Sequence, residues 1–163
     1  MVTLPCRIER YFMPSLSWRS LSELVRSADI IQMTNHWTVI NALAFYYARR
    51  YQKPYIVCPA GAIPIFGRSR ALKTFYDRVV GRAIIRQAAA CVAVSPNEIE
   101  HIRIYGVPEK KISVIPNGID PDDFVLRDDE GFRHKYGLPE EPFILFMGRL
   151  NRIKGPDLLV DAF

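Results

Sequence analysis

Short apolar runs alternate along the chain with longer stretches in which apolar residues recur every three or four positions. Asp29-Ile30-Ile31-Gln32-Met33-Thr34 has the length and β-branched character of a strand, and Val39 to Tyr51 has helical spacing. Pro54 to Cys58 predicts a second strand, closed by Pro59 and Gly61. Between Leu72 and Ile85 the apolar residues Leu72, Phe75, Tyr76, Val79, Val80, Ala83 and Ile84 have the spacing of one helix face. Ala89 to Val94 predicts a third strand. Ser95 then suits an N-cap, Pro96 the first helical position, and Glu98 the far side of a capping box. Gly106 ends that helix. Lys111 to Ile115 is the fourth expected strand, closed by a Pro116-Asn117-Gly118 turn. In that turn Gly118 is expected to supply positive φ, and Asp120 to cap the segment after it. Pro121 to Glu141 reads as a charged connector with a short helix near Glu130 to Tyr136. A fifth strand is expected over Pro142 to Met147, leading through Gly148 to a helix over Pro156 to Phe163.

Strands apolar on both faces, alternating with helices, imply a Rossmann-like α/β fold: a parallel sheet with helices on both faces. Ligands of such sheets bind at the carboxyl ends of strands, so the loops after strands are where chemistry is expected. The last helix opens a unit with a single strand, too little to bury its own apolar face. The expectation is therefore a chain that continues, with its last segment packing elsewhere or pairing with another chain.

Composition narrows the function classes. With 49% hydrophobic and 24% charged residues the chain is globular in type rather than disordered. The N-terminal residues have no apolar core of signal-peptide length, and no run is long enough to span a bilayer. Cys6, Cys58 and Cys91 are few, odd in number and widely spaced, neither a disulfide framework nor a zinc pattern. A reducing, cytoplasmic setting is the expectation, with Cys58 and Cys91 as small core residues. The net charge of +5 suits nucleic acid, an anionic membrane surface or a phosphorylated substrate equally. Nucleic acid is not expected, because basic residues are not interleaved with aromatics and no binding motif appears. No metal cluster and no phosphate-binding glycine motif is visible.

Four stretches, in order, resemble the large GT4-type family of retaining GT-B glycosyltransferases. They are Ala28-Asp29-Ile30-Ile31 with His36, Ala93-Val94-Ser95 with Gly106-Val107, Lys111 to Asp120 with Phe124, and Phe146 to Leu150 with Lys154-Gly155. The resemblance implies an incomplete acceptor-side domain over residues 1–125, a connector over 126–141, and the first strand and helix of a donor-binding domain over 142–163. It implies a hexosyltransferase that uses a nucleotide diphosphate sugar and no cofactor or metal. It also implies a front-face mechanism, in which the leaving phosphate helps deprotonate the acceptor and no protein nucleophile is needed. The family's first strand with its Gly-rich loop would precede Met1, and its donor-reading glutamates would lie beyond Phe163. The isolated chain is accordingly expected to be inactive.

The resemblance carries over residue by residue. His36 matches a histidine near the transferred sugar and is the expected catalytic-site residue; a lone histidine is otherwise usually structural. Arg149 and Lys154 match the donor diphosphate clamp, where a guanidinium and an ammonium stabilise a leaving group. Two solvated loop cations are the plainer alternative. Gly148 would let backbone approach phosphate. Asn35, Gly61, Ser95, Asn117 and Gly118 are expected to shape cleft or linker loops. Where many relatives have His-Gly after the second strand, this chain has Ala60-Gly61, so a side-chain contact there is lost or made by backbone.

Arg78, Arg82 and Arg86 recur along one helix, with Arg68, Arg70 and Lys73 near its start. That pattern fits a solvated flank, or peripheral docking on the anionic inner face of a membrane. The expected acceptor is a glycan, a lipid carrier or a small molecule. The alternative function is a non-catalytic α/β module that binds a partner through exposed apolar surface.

Overall fold

A strand buried on both faces must pair on both edges or leave backbone groups unsatisfied, and the central apolar runs obey this rule. The structure is a computed structural model and describes residues 6–8, 13–14, 18–65, 69–125, 129–138 and 141–163. Two short strands, β1 (Cys6–Ile8) and β2 (Met13–Pro14), pair antiparallel ahead of helix α1 (Trp18–Ser27). The main sheet comprises β3 (Ile31–Thr34), β4 (Tyr55–Cys58), β5 (Ala90–Ala93) and β6 (Ile112–Val114), all parallel and in sequence order. The connecting elements are α2 (Val39–Arg50), then α3 (Arg70–Tyr76) running through a π turn (Asp77–Gly81) into α4 (Arg82–Arg86), then α5 (Asn97–Arg103). The fold is thus a Rossmann-like α/β sheet flanked by helices, as the alternation of runs requires.

The core is where apolar residues of β3, β4 and β5 meet the helices: Met33, Val57, Cys91 and Ala93 pack with Ala48, Ile84, Ile85 and Ile102. Each large side chain buried here contributes about 1.5–3 kcal/mol. The Tyr55 ring lies in the same core, and its hydroxyl donates to the Ile84 carbonyl at 2.8 Å near the C-terminus of α4. Cys58 and Cys91 are free and buried. Burial pushes the Cys91 thiol up to about 11 and raises that of Cys58, so both are small packing residues rather than reactive thiols.

Several local expectations need correction. The helix after the third strand has Pro96 as its N-cap residue, without a side-chain cap bond, so Ser95 does not cap it. Gly118 is not among the positive-φ glycines, whereas Gly106 is, at φ +79°. Asp120 does cap, accepting from the Asp122 N–H at 3.0 Å. The apolar stripe from Leu72 is buried only in part: Tyr76, Val80, Ala83 and Ile84 pack on the core, whereas Leu72, Phe75 and Val79 are exposed and Asp77, Gly81 and Ile85 also face inward.

The chain divides into two compact units, Met1–Gly118 and Ile119–Phe163. In the second, α6 (Asp129–Tyr136) and α7 (Pro156–Ala162) form, but Pro142 to Met147 makes no strand. A lone apolar run has no neighbour with which to exchange backbone bonds, so its propensity is not realised. Phe143 and Ile144 instead border a shallow cavity of about 360 Å³ with Leu159, Val160 and Phe163 of the α7 region. No helix among the described residues is long and apolar enough to cross a membrane.

Candidate functional site

The carboxyl ends of β3, β4 and β5 carry three loops that the sequence ties to one another. After β3, Asn35 turns the chain at φ +66°, a left-handed conformation that asparagine tolerates. Thr38 caps α2 by accepting from the Asn41 N–H at 3.3 Å. The Asn41 amide reaches back to the carbonyls of Thr34 and Asn35, at 3.0 and 3.1 Å. This pair fixes the intervening His36 and Trp37. Trp37 Nε1 donates to the Ala62 carbonyl in the loop after β4, and the Asn35 N–H donates to the Cys58 carbonyl at 2.9 Å.

Glu98 joins the second loop to the third. Its buried carboxylate accepts from the Gly61 N–H with one oxygen and from the Val94 N–H at 2.8 Å with the other. The expected capping box is therefore redirected: Glu98 reaches back past Ser95 and staples two strand ends instead. Ala60 is held at φ +50° and Gly61 at φ +76°. The Gly61 N–H is already occupied by Glu98, so any backbone contact made in place of a side chain at Ala60 would have to come from elsewhere in that loop.

His36 is 1% exposed, and neither of its ring nitrogens has a hydrogen-bond partner among the described residues. Three aromatic rings enclose it edge-on: Trp37 at 4.3 Å, Tyr76 at 5.8 Å and Tyr105 at 6.0 Å between centroids. The nearest charge is Asp77, whose Oδ1 lies 3.6 Å from His36 Nε2. Asp77 in turn accepts from the Tyr105 hydroxyl at 2.9 Å and from Arg82 Nε at 3.2 Å. Tyr76 donates to the Thr38 carbonyl at 3.0 Å, tying α3 to the same loop.

Burial depresses the His36 pKa below its usual value, and the neighbouring Asp77 offsets this only in part. The histidine is neutral in the folded protein, while in the unfolded chain it takes a proton near pH ~6.5. Its stabilising contribution is whole above that pH and is lost as pH falls through the window down to the depressed folded value. Urea midpoints at about pH 7.5 and about pH 5.5 should show a larger acid-side fall for the unmodified chain than for His36→Gln. Equal falls would mean that the ring carries no such linkage.

The remaining expected site residues lie elsewhere. Asn117 and Gly118 are exposed at the end of the first unit, and Ser95 is half-buried beside the Glu98 staple. Gly148, Arg149 and Lys154 belong to the second unit. There Asn151 turns the chain, its N–H bonding the Arg149 carbonyl at 2.8 Å and its carbonyl accepting the Lys154 N–H at 3.0 Å. Both basic side chains are exposed, and Lys154 passes close to Gly148. On the basic helix, Arg78 and Arg86 are exposed, while Arg82 is drawn to Asp77 and Lys73 lies 5.8 Å over the Trp37 ring. Arg68 lies outside the described residues.

Comparison with known proteins places this loop cluster in a context. Glycosyltransferase Family 4 matches residues 2–123. A D-inositol 3-phosphate glycosyltransferase of Xylanimonas cellulosilytica is 38% identical over 94 residues, 52% of this chain and 22% of that protein. The like-named protein of Stackebrandtia nassauensis is 34% identical over 90 residues, 53% of this chain and 20% of its own. D-inositol 3-phosphate glycosyltransferase 1 of Catenulispora acidiphila is 35% identical over 82 residues, 49% of this chain and 20% of its own. The chain spans about a fifth of the length of these curated relatives.

Proposed function

Because the chain belongs to Glycosyltransferase Family 4, we propose that it is part of an enzyme transferring a sugar from a nucleotide diphosphate sugar to an acceptor, with retention of configuration. The family match is the observation that carries this proposal. In it, His36, on a loop at the carboxyl end of β3, serves the transferred sugar. Arg149 and Lys154, exposed and gathered by one turn beside Gly148, serve the diphosphate. A guanidinium and an ammonium there neutralise charge that grows on the leaving phosphate as the sugar–phosphate bond breaks, a task otherwise given to a divalent cation. No metal and no cofactor enter the proposal.

The relatives' name favours a small hydroxylated acceptor, ahead of a glycan or lipid carrier. The exposed Arg78 and Arg86 favour peripheral contact with an anionic inner membrane face, each adding about 1 kcal/mol near such a surface. On this proposal the protein works in the cytoplasm, and the chain alone, which spans about a fifth of its curated relatives' length, turns over no substrate.

One observation favours a second reading for the chain by itself. Met147 is 90% exposed, and Leu150, Leu158, Val160 and Phe163 are exposed with it, an apolar surface suited to a partner. The two readings separate in a calorimetric titration with UDP, GDP and ADP. The titration compares this chain with a version extended through a whole donor-side domain. Binding by the extended version only, lost on Arg149→Ala, supports the transferase and identifies the donor base. Binding by neither removes the diphosphate role of Arg149 and Lys154 and puts the interaction module first.

A further inference from the structure

Buried polar atoms are nearly always hydrogen-bonded, and a ring with both nitrogens unmatched calls for an explanation. His36 is such a ring, and the π turn beneath it supplies one. In an α-helix the residues three and four apart are neighbours, whereas position i+5 points elsewhere. The π turn closes i to i+5 instead: the Arg82 N–H bonds the Asp77 carbonyl, and Arg82 Nε reaches Asp77 Oδ2. The same turn puts Gly81 against the imidazole, where a Cβ would stand 3.0 Å from His36 Nε2 and 2.9 Å from Asp77 Oδ1. Glycine at this position is what lets carboxylate and ring approach.

We propose that Asp77 is a positioning residue for His36, held by Tyr105 and Arg82 so that its carboxylate selects the Nε2–H tautomer and leaves Nδ1 as the ring's acceptor. A carboxylate 3.6 Å from Nε2 attracts a proton on that nitrogen and repels a lone pair. Both Asp77 oxygens have donors outside the ring: Tyr105 donates to the oxygen nearest His36, and Arg82 to the other. The groups facing His36 are then Asp77 from the π turn, Tyr76 from α3, Tyr105 from beyond α5, and its own neighbour Trp37. Among these, only Asp77 bears a charge near neutral pH. What this does for sugar transfer rests on the role proposed above for His36: a fixed tautomer holds the buried ring in one orientation beneath the loop after β3.

The tautomer is read directly, without activity, by long-range proton–nitrogen correlation on the full chain labelled with ¹⁵N-histidine, using His36→Gln to assign the signal. At a pH where the ring is neutral, the expected result is a pyridine-like Nδ1 and an Nε2–H form favoured roughly tenfold or more. Asp77→Leu, of similar size and without an acceptor, should weaken that preference to the modest Nε2–H bias of a free neutral histidine side chain. Asp77→Asn keeps an acceptor oxygen but no charge; it should retain the tautomer and move the titration midpoint of His36 downward. An Nδ1–H tautomer in the unmodified chain overturns the proposal. So does a midpoint that Asp77→Asn leaves in place, a measurement that stands even if Asp77→Leu does not fold. Failure of nucleotide binding in the extended protein, with the tautomer result intact, would instead count against the transferase reading and leave the Asp77–His36 pairing standing.

Discussion

Replacing Glu98 with alanine is expected to destabilise the first unit by about 3 kcal/mol, the largest effect of any single change at the strand ends. Glu98 is 3% exposed, and its two oxygens hold the N–H groups of Gly61 and Val94. Alanine removes both acceptors at once. Each orphaned donor costs about 1–3 kcal/mol, less where water can replace the lost oxygen. Water can reach Gly61, which is exposed, but Val94 is half-buried, so the sum falls in the middle of the range. Glu98→Gln keeps one acceptor and should cost less than alanine. Glu98→Asp, one methylene shorter, should fail to span both loops. Urea unfolding of the four chains measures the order directly, with an unchanged m-value showing that the folded state is otherwise preserved. A loss below about 1 kcal/mol for Glu98→Ala would mean that the two loops do not depend on the staple.

The second large effect is at Gly81. Converting a helical glycine to alanine ordinarily stabilises by about 1 kcal/mol, because glycine gives up the most backbone freedom on folding. Here the added Cβ meets Asp77 Oδ1 at 2.9 Å, His36 Nε2 at 3.0 Å and His36 Cε1 at 3.2 Å. Neither neighbour is a free side-chain end: Asp77 is held by Tyr105 and Arg82, and His36 by three rings. Overpacking of this kind costs about 1–3 kcal/mol, which exceeds the helix gain. Gly81→Ala should therefore be a net loss of roughly 1 kcal/mol. Gly81→Val, with two further methyl groups and a β-branched side chain, should lose about 3 kcal/mol or more. Thermal unfolding of both variants decides the matter. A stabilising Gly81→Ala would show that the space between His36 and Asp77 is not filled in this way.

How legible the fold is in the sequence differs by element. The strands of the main sheet are readable because an apolar run bounded by Pro, Gly or Asn has few other stable uses, and the structure places strands in all four. Helix α2 is readable for a similar reason, as is the glycine stop at Gly106. The helix from Leu72 is legible, but its inward face only in part. Apolar spacing points correctly to Tyr76, Val80, Ala83 and Ile84, but also to the exposed Leu72, Phe75 and Val79, and it misses the inward Asp77 and Gly81. A π turn shifts every later position by one residue, and a 3.6-residue period cannot register it. The buried polar pair also inverts the usual rule that polar residues mark the outer face.

At the candidate site, His36 is visible in the sequence only as a lone histidine after a strand, and its loop position comes from that. The Thr38 and Asn41 brace around it has a signal, a capping threonine with a polar side chain three residues on, that apolar periodicity passes over. Glu98 is legible as a capping residue but not as a staple, because its two partners lie in loops far apart in sequence. The sequence by itself determined the parallel α/β sheet, the loops at its carboxyl ends and the residue types in them, since local propensity and burial act within a few residues. Only the tertiary structure decided that His36 meets Asp77 across a π turn, that Glu98 joins two strand ends, and that Pro142 to Met147 stays unpaired. Each of those outcomes depends on contacts between segments distant along the chain, and periodicity within one segment carries no information about them.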